Sequence, residues 1–363
     1  VIGTEKTSFR FCPVGFLYSN SGYGLFCNNE KTKYYLLGFM NSKIAASLLK
    51  ILSPSMGFES GYLRKLPLIE SDSLDTIVER VKHCIDGSNA EWDSFEISWD
   101  FKKHPLLRNV STISEAFTQW QSECDDRFNQ LKANEEELNR IFIDIYGLQD
   151  ELTPEVEDKD VTVRKADLQR DIKSLLSYAV GCMFGRYSLD VEGLAYAGGE
   201  WDSSKYQSYI PDADNVIPIT DEEYLDDDIV SRLCAWLKAV YGADTLEANL
   251  DYIAKALGNK GSTSREIIRN YFLNDFFKDH CQTYSVTGSG KRPIYWLFDS
   301  GKQNGFKALV YLHRYTPDTI GNLRIDYLHK MQRVYESEIN RMQDMMDHSG
   351  NAREVAAGSK RKD

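Results

Sequence analysis

Basic side chains are the residues of this sequence best suited to chemistry, and that chemistry is contact with nucleic-acid phosphates. The chain of 363 residues has a formal net charge of −12. Taken whole, this charge argues against a nucleic-acid binder, because phosphate contacts need Lys and Arg. Residues 1–70 nevertheless contain eight Lys or Arg and four Glu, a formal charge of +4. A basic head on an acidic body is compatible with one nucleic-acid face and solvated faces elsewhere.

Two groups of side chains are therefore the candidate DNA contacts. The first group lies in the head and consists of Ser8, Arg10, Lys31, Lys33, Arg64 and Lys65. The second group lies on a later helix and in a turn after it, and consists of Arg265, Arg269, Lys291 and Arg292. Arginine can bind guanine through two hydrogen bonds, whereas lysine more often contacts phosphate. A solvated surface charge is the alternative for each residue, and a pair with Glu266 or Asp275 is the alternative for the two helix arginines.

Motifs for catalysis and cofactor binding are absent from the sequence as printed. No two prolines are adjacent, so the sequence lacks the Asn/Asp-Pro-Pro-Tyr/Phe loop with which amino-methyltransferases hold a flipped base. No Gly-rich loop joins a strand to a helix, as a nucleoside cofactor needs. Gly288–Lys291 imitates a phosphate loop, but Ser285 and Arg292 stand where that motif needs Gly and Ser or Thr. We expect no catalytic or cofactor-binding residue in this chain.

The seven cysteines and six histidines do not form a recognisable metal motif. The cysteines are scattered and never spaced as Cys-x-x-Cys, and the histidines form no His-Glu-x-x-His motif. This pattern predicts a reduced, cytoplasmic protein without a metal ion. No apolar run reaches the roughly 18–20 residues of a membrane span, and the opening residues do not resemble a secretory leader. Because the chain begins at Val1 rather than Met, we expect it to be a fragment of a longer protein.

The head is predicted to be a small β-rich domain over residues 1–72. Residues 7–37 alternate between apolar and polar side chains and are interrupted by turn residues such as Pro13 and Gly15, which is typical of short strands. A further turn is predicted at Asn28–Glu30, followed by the strand TKYYLLGFM. An apolar helix from Ser42 to Leu52 follows.

A helical connector is predicted over residues 73–150. It has a modest amphipathic helix at Leu74–Ile85 and a long apolar stripe over residues 114–148. Asn134 and the glutamates after it predict a kink or a turn within that stripe, and Gly147 fits its C-terminal cap.

Residues 151–349 are predicted to form a mostly helical domain, which makes the chain α+β. The pattern indicates helices over residues 166–187, 229–241, 246–257, 306–315 and 318–346. A further helix runs from Ser262 or Thr263 to about His280, and the segments TYSV and PIYWLF after it predict a β-hairpin. A helix followed by a hairpin with a basic tip is typical of a winged helix. Residues 350–363 are predicted to be a disordered basic tail.

Several stretches of the sequence resemble a known family of enzymes. The head resembles the target-recognition domain of adenine DNA methyltransferases, both Type I specificity-like and Type IIG-like, in the strings FRFCPVGFLYS and YYLLGFMNSKIAASLLKILSPSMGFESGYLRKLPL. Three later strings resemble the C-terminal half of the PglX family, the DNA methyltransferases of BREX phage-resistance systems. They are ELNRIFIDIYGLQDEL, LLSYAVGCMFGRYSLDVEGLAYAGGEWD and KRPIYWLFDSGKQNGFKALVYLHRY. The resemblance covers most of the chain.

The resemblance implies that the full-length protein transfers a methyl group from S-adenosylmethionine to adenine N6 in host DNA. Its catalytic domain, with the cofactor loop and the Asn-Pro-Pro-Tyr motif, would precede Val1, and this chain would supply target recognition without being an enzyme by itself. No catalytic or cofactor residue is carried over, because no position here matches those motifs. The implied partners are double-stranded DNA, the protein's own N-terminal methyltransferase domain and other phage-defence proteins.

Two other functions stay open on the sequence alone. The chain could be a protein–protein interaction scaffold of the defence complex, or the specificity region of a Type IIG-like restriction-modification enzyme. The basic face on an acidic body further predicts that a phage protein imitating DNA could act as an inhibitor.

Overall fold

The structure is a computed structural model that describes residues 8–16, 24–52, 60–258, 260–286, 290–301 and 304–362. It divides into two compact units. Unit 1 comprises Val1–Asp93 and Gln119–Ala166, and unit 2 comprises Ser94–Thr118 and Asp167–Asp363. Unit 1 thus holds residues of both the predicted recognition domain and the predicted connector.

Helices form the regular structure of unit 1 in its described residues. They are α1 (Glu30–Asn41), α2 (Lys43–Leu52), the single turn α3 (Ser60–Leu63), α4 (Leu74–Trp92) and most of α5 (Ile113–Tyr146). Helix α2 confirms the predicted helix from Ser42 to Leu52, and Ser42 caps it by accepting a hydrogen bond from the Ala45 amide at 3.4 Å. Helix α4 begins where predicted and continues seven residues beyond Ile85.

The prediction of a β-rich head is wrong for the described residues. The segment TKYYLLGFM, predicted as a strand, lies within α1. Asn29, predicted as a turn residue, is the N-cap of α1, and its side chain accepts hydrogen bonds from the Lys31 and Thr32 amides. The buried residues Tyr35 and Phe39 recur at the four-residue spacing of a helix face. The predicted strand residues 17–23 lie outside the described residues.

Unit 1 has an apolar core where α1, α2, α4 and α5 pack together. Phe39, Ile44, Ile77 and Phe142 are almost completely buried in it. Gly38 allows α1 and α4 to lie close, since a Cβ there would approach the Val81 side chain to 2.9 Å. Substitution of Gly38 by a larger residue would therefore force the two helices apart.

Helix α5 is continuous over 34 residues, so the turn between two helices predicted at Asn134 is wrong. The Asn134 side chain is buried, and its Oδ1 accepts a hydrogen bond from Gln130 Nε2 at 3.2 Å. Because this bond runs between residues four apart, it satisfies the amide oxygen without disturbing the helix. The predicted end of the helix is confirmed at Gly147, which adopts the left-handed conformation at φ +64°.

Unit 2 contains the remaining helices. They are α6 (Leu168–Met183), α7 (Ile229–Tyr241), α8 (Leu246–Leu257), α9 (Ser264–Asn274), α10 (Phe276–Thr283), α11 (Thr319–Asn322), α12 (His329–His348) and α13 (Ala352–Lys362). Helices α7 and α8 confirm the predicted bounds. The helix predicted to run to His280 is capped by Thr263, whose side chain accepts from the Glu266 amide, but it divides into α9 and α10 at Asp275. The helix predicted over residues 318–346 is formed by α11, a wider turn at Leu323–Leu328, and α12.

An antiparallel sheet of three strands completes unit 2 in the described residues, which confirms the predicted α+β class. Its order is β1 (Val216–Ile219), β5 (Lys307–Tyr311) and β4 (Tyr295–Asp299). Val216 pairs with Val310, and Tyr295 pairs with Tyr311. The predicted helix over residues 306–315 is wrong because this segment forms the central strand, every residue of which is buried.

The predicted winged hairpin is not confirmed. A two-residue strand β2 (Ser285–Val286) pairs with β3 (Gly290–Lys291), and residues 287–289 of the predicted turn lie outside the described residues. The segment PIYWLF instead contributes β4 to the three-stranded sheet. The hairpin predicted between TYSV and PIYWLF is therefore replaced by a shorter pairing.

The predicted disorder of the tail is wrong for Ala352–Lys362, which forms helix α13. Gly358 is buried against α12, and a Cβ there would lie 2.9 Å from the Met345 side chain. This close approach holds the last described helix against its neighbour.

No single helix among the described residues is both long and apolar enough to cross a membrane. Helices α1 and α2 reach that length and hydropathy only together, across a bend of 67°. Their apolar residues contribute to the core of unit 1.

Candidate nucleic-acid interface

The first turns of α1 place lysines beside aromatic rings on the surface of unit 1. Residues 8–11 lie along this helix, because the Phe9 amide donates to Asn41 Oδ1 at 2.9 Å and Asn41 Nδ2 donates to the Phe9 carbonyl at 3.2 Å. Phe11 consequently stacks on Tyr34, with ring centroids 6.2 Å apart and ring planes 25° apart. We call Phe11, Lys33, Tyr34 and Lys82 the α1 cluster.

Two ammonium groups converge on the rings of the α1 cluster. Lys33 Nζ lies 5.1 Å from the Phe11 ring centre and 4.8 Å from that of Tyr34. Lys82, on α4, places its Nζ 5.0 Å from the Tyr34 ring centre. The negative faces of the rings attract both cations. The lysine side chains are therefore held in place at the surface, as a phosphate contact requires.

Carboxylates accompany these lysines. Glu30 lies 3.8 Å from Lys33 Nζ and accepts a hydrogen bond from Tyr34 Oη at 3.3 Å. Burial raises the pKa of Tyr34, and the charge of Glu30 raises it further. The tyrosine thus stays protonated and can donate.

Lys31 lies on the same turn of α1 and pairs with Asp75 at 2.6 Å. The two side chains keep 58% and 82% of their surface exposed. Exposed ion pairs of this kind contribute roughly 0–1 kcal/mol to stability. Lys31 can therefore exchange Asp75 for a phosphate at little energetic cost.

Arg10 and Ser8 are exposed beside the α1 cluster. The Arg10 guanidinium donates to the Phe9 carbonyl at 3.1 Å. Its positive charge also acts on Glu135 of α5, where burial raises the pKa of the carboxyl to about 7 and Arg10 opposes that rise. Arg10 therefore lies between Phe9, which is bonded to the last residue of α1, and Phe11, which stacks on Tyr34.

Arg64 and Lys65 lie on another exposed part of unit 1, directly after α3. Lys65 Nζ lies 5.6 Å from the centre of the Tyr62 ring. The chain after them is anchored, because Leu66 is buried in the core and the Pro67 carbonyl accepts a hydrogen bond from Tyr146 Oη. Both side chains are therefore presented to solvent from a fixed backbone.

The candidate arginines of α9 in unit 2 are engaged within the protein. Arg265 donates two hydrogen bonds to Glu247, at 2.8 and 2.6 Å, and this pairing lowers the pKa of Glu247. The partner is thus a residue of α8 and not Glu266.

The prediction that Arg269 contacts DNA is wrong, because this side chain is buried. Its guanidinium donates to both oxygens of Asp228, at 2.6 and 2.8 Å, and to the Thr220 carbonyl at 2.9 Å. Arg269 therefore pairs with Asp228 and not with Asp275, the alternative partner predicted from the sequence. Arg269 connects α9 to the segment before α7.

Lys291 and Arg292 follow the predicted turn in unit 2. Lys291 belongs to β3, opposite Ser285, and its side chain lies outside the described residues. Arg292 is exposed, and its amide donates to the Tyr284 carbonyl at 3.2 Å.

Sequence reasoning missed three members of the α1 cluster, namely Phe11, Tyr34 and Lys82. Lys82 could have been found as a polar position on the amphipathic helix after residue 73. Its proximity to α1 depends, however, on Val78 and Val81 packing in the core, which periodicity does not reveal. Tyr34 and Phe11 were assigned to strands, so their stacking was not foreseen.

The described residues contain no group of three or more His, Cys, Asp or Glu side chains that could hold a metal ion. All seven cysteines fall within the described ranges, and none of them forms a disulfide. Among the described residues, the α1 cluster places cationic and aromatic side chains together at the surface of unit 1.

Comparison with known proteins gives two similar sequences. The chain is 49% identical over 362 residues to adenine-specific methyltransferase PglX of Lacticaseibacillus casei (strain Zhang), with 97% of this chain and 30% of the relative covered. It is 33% identical over 379 residues to adenine-specific methyltransferase BrxX of Escherichia coli O9:H4 (strain HS), with 96% and 31% covered. No protein-family model matches the chain.

The chain thus spans about 30% of the length of the curated relatives it matches. The matches extend over nearly the whole chain, so they confirm the resemblance to the PglX family that the sequence strings indicated.

Proposed function

We propose that this chain supplies DNA sequence recognition to a site-specific adenine-N6 DNA methyltransferase of a BREX-type phage-defence system. The observation that carries this proposal is the 49% identity, over 97% of the chain, to a protein named adenine-specific methyltransferase. An enzyme of that kind must bind a duplex and turn its target base out of the helix. A chain that covers about 30% of such an enzyme and has no catalytic motif suits the binding part of that task.

S-adenosylmethionine and the reacting base belong, in this proposal, to the part of the relatives that this chain does not cover. The sequence has no Asn-Pro-Pro-Tyr-type loop and no Gly-rich strand-to-helix loop, so its residues do not fit that cofactor. The methyl transfer is accordingly assigned to a separate methyltransferase domain of the same protein.

The α1 cluster is proposed as a phosphate-binding part of the interface. Lys33 and Lys82 each present an ammonium group beside the Tyr34 ring, and each can donate a hydrogen bond to a phosphate oxygen. Lys31, on the first turn of α1, and the exposed Arg10 add further positive charge to unit 1. Arg64 and Lys65, on their separate loop, are the candidates for contact with base edges.

Salt-dependent binding of duplex DNA tests this proposal. The fluorescence anisotropy of a labelled duplex is titrated with the chain at several salt concentrations. We expect the logarithm of the binding constant to fall linearly with the logarithm of salt concentration. The double variant Lys33→Ala/Lys82→Ala should make that slope less steep by about 2, since each lost phosphate contact removes about 0.9.

A matched pair of exposed lysines in unit 2 provides the control. Lys238→Ala/Lys255→Ala removes the same charge from α7 and α8 and should leave the slope within about 0.5 of its original value. Equal effects of the two double variants, or binding that does not change with salt, would contradict a phosphate-binding role for the α1 cluster.

The α1 cluster is also the proposed binding site for an inhibitor that imitates DNA. A phage protein that imitates the charge of DNA would compete with the duplex for Lys33 and Lys82 and would lose affinity in the same variants.

A Type IIG-like restriction enzyme would differ in another respect, because its full-length protein would cleave DNA in the presence of Mg²⁺. Methylated but uncut DNA after incubation of the full-length protein with S-adenosylmethionine and Mg²⁺ favours the methyltransferase.

A further inference from the structure

Residues 188–215 of unit 2 form an unusually long connection between α6 and β1. Within it, the only helical or strand element of the described structure is the single 3₁₀ turn Ser203–Lys205. Connections longer than about 12–15 residues without secondary structure are uncommon in compact domains and usually functional when they are ordered. We call this segment the 188–215 loop.

Internal hydrogen bonds give the 188–215 loop a defined shape. The Asp190 carboxylate accepts from the amides of Gln207 and Ser208, at 2.7 and 2.9 Å. Ser188 Oγ donates to the Lys205 carbonyl at 2.6 Å, and Lys205 Nζ donates to the Ala195 carbonyl at 3.0 Å. These bonds join its first half to its second half, so the surface it presents is organised before any partner binds.

A stack of three side chains fixes the loop to the end of β5. The Arg314 guanidinium lies 4.4 Å from the centre of the Trp201 ring. Trp201 in turn stacks on Tyr206, with centroids 4.9 Å apart and planes 16° apart. Arg314 also donates to the Asp212 carbonyl at 2.8 Å. Because both neighbours lie against the Trp201 ring, it is a structural element and not a platform for a nucleobase.

The surface of this loop exposes large apolar side chains. Ile210 is 65% exposed and Leu194 is 54% exposed. The Gly193 amide donates to the Lys102 carbonyl at 2.7 Å, which places this part of the loop beside the segment of Trp99, a residue 94% exposed. The ordered loop thus presents exposed apolar side chains that a protein partner can cover.

The charge of the 188–215 loop is strongly negative. It contains six Asp or Glu residues and, as its only Lys or Arg, Lys205, a formal charge of −5. Four of the six acids are exposed, whereas Asp212 is buried and pairs with Arg232. Such a surface repels nucleic-acid phosphates and attracts cationic groups. The charge therefore favours a protein partner with basic side chains.

Ile210 separates two clefts that suit such a partner. One has a volume of about 230 Å³ and is bordered by Trp201 and Pro211. The other has a volume of about 320 Å³ and is bordered by Asp226 and Asp227. Arg232 also borders the larger cleft but pairs with Asp212, so its positive charge is already balanced.

We infer that the 188–215 loop docks a polypeptide segment that combines basic and apolar side chains. A Lys or Arg of that segment enters the larger cleft beside Asp226, and an apolar side chain covers Ile210. This role goes beyond the proposed recognition of DNA, because it uses an acidic surface of unit 2 and a partner of the opposite chemistry. The two roles are separable by experiment.

Peptide binding to the intact chain tests the inference. The probes are two synthetic peptides of equal length, one with Lys and Leu in alternation and one with Glu and Leu in alternation, measured by titration calorimetry. We expect the Lys-Leu peptide to bind and the Glu-Leu peptide not to bind. The double variant Ile210→Asp/Asp226→Lys should raise the Kd for the Lys-Leu peptide by about tenfold or more.

The matched control is Ile339→Asp/Glu336→Lys, which makes the same changes at exposed positions of α12. It should change the Kd by less than about twofold, and circular dichroism should show that both double variants are folded. Equal weakening by the two variants, equal binding of the two peptides, or no binding of the Lys-Leu peptide up to about 1 mM would overturn the inference.

A duplex titration of the same variants separates this inference from the proposed function. Ile210→Asp/Asp226→Lys should bind DNA as the unaltered chain does. A loss of DNA binding in this variant would show that the loop faces the duplex, and the inference would be wrong. Failure of the α1 cluster variants to alter DNA binding would instead count against the proposed function alone.

Discussion

Unit 1 and unit 2 place their charged side chains in different surroundings. In unit 1, Lys31 and Asp75 form a short ion pair in which both side chains are largely exposed. In unit 2, Arg269 and Asp228 form a pair that is almost completely buried. Water screens the first pair, so its lysine is open to exchange with a ligand, whereas the second pair is fixed in the core. Residue type alone therefore does not distinguish a binding residue from a structural one.

Other polar groups of unit 2 are also buried and hydrogen-bonded within the protein. Arg186 is buried and donates to the hydroxyls of Tyr187 and Tyr311, at 3.3 and 3.2 Å. His280 is buried, and its Nε2 accepts from the Ile294 amide at 3.1 Å. These bonds connect the segment after α6 to β5, and α10 to the residue before β4, through buried polar contacts. Two of the strings that resemble the PglX family include Arg186 and Tyr311, and both side chains are buried.

The largest expected effect comes from breaking the buried pair of unit 2. Arg269→Met leaves the carboxylate of Asp228 buried without its partner and should lower the free energy of unfolding by about 3–5 kcal/mol. Arg265→Met, four residues earlier on α9, removes an exposed pair and should cost less than about 1 kcal/mol. Urea unfolding of both variants measures the difference. If the two variants lose similar stability, the buried pair does not contribute more to folding than the exposed pair.

Acid should weaken unit 2 through its buried histidines. Burial lowers the pKa of His104 and of His280 to about 3. Between pH 6.5 and 3 the unfolded chain binds protons that the folded chain does not, so stability falls as the pH decreases through this window. The expected loss between pH 7 and pH 5 is about 2 kcal/mol for each histidine. Urea unfolding at both pH values measures it.

His280→Asn should flatten this pH dependence by about half. The control is His348→Asn, which replaces an exposed histidine at the end of α12. An unchanged pH dependence in His280→Asn would show that this imidazole is not kept neutral in the folded protein.

Unit 1 should respond to pH in the opposite direction through Glu135. Burial raises the pKa of this carboxyl to about 7. Between its unfolded value and pH 7 the folded chain holds a proton that the unfolded chain has lost, so stability falls as the pH rises. Glu135→Gln should therefore stabilise the protein by about 1–2 kcal/mol at pH 8 and by much less at pH 4.5.

Hydrogen exchange of the α5 amides, followed at both pH values, reports the effect of Glu135→Gln locally. The exposed Glu79→Gln on α4 serves as the control. If the two variants show the same change between pH 4.5 and pH 8, the Glu135 carboxyl does not cause a pH dependence in the stability of unit 1.

The smallest expected effect on stability belongs to the exposed pair of unit 1. Lys31→Ala should change the free energy of unfolding by less than about 0.5 kcal/mol. The same substitution should make the salt dependence of duplex binding less steep by about 0.9. Thermal unfolding and duplex titration together test whether this lysine serves binding rather than folding.

Sequence patterns correctly predicted elements that are determined by their own residues and not by distant contacts. Helices α7 and α8 were found with their bounds because their apolar spacing and their end residues agree; Gly258 adopts the left-handed conformation after α8. The error at α1 has a chemical cause. Asn29 satisfies backbone amides with its side chain, and an asparagine does this both in turns and at helix N-caps.

Elements that depend on distant partners were not predicted. The segment KALVY has no polar interruption, so its periodicity does not separate a buried strand from a buried helix. Its pairing with β1 and β4 decides the outcome. Arg269 was assigned to DNA for the same reason, since Asp228 lies 41 positions earlier in the chain. Among the candidate site residues, Lys31 and Lys33 remain at the surface because they lie on the outer side of α1, and Lys65 does so on the loop after α3.

Strand β1 is synthesised long before its partner strand β5. Val216 of β1 pairs with Val310, so a ribosome adds 94 residues after β1 before that partner exists. During this interval β1 has unsatisfied backbone groups and exposes the side chains of Ile217 and Ile219, which are buried in the finished protein. Premature termination before Lys307 leaves the nascent chain in that state permanently. Such a product is expected to aggregate, so the residues from Lys307 onward decide the fate of a strand made long before them.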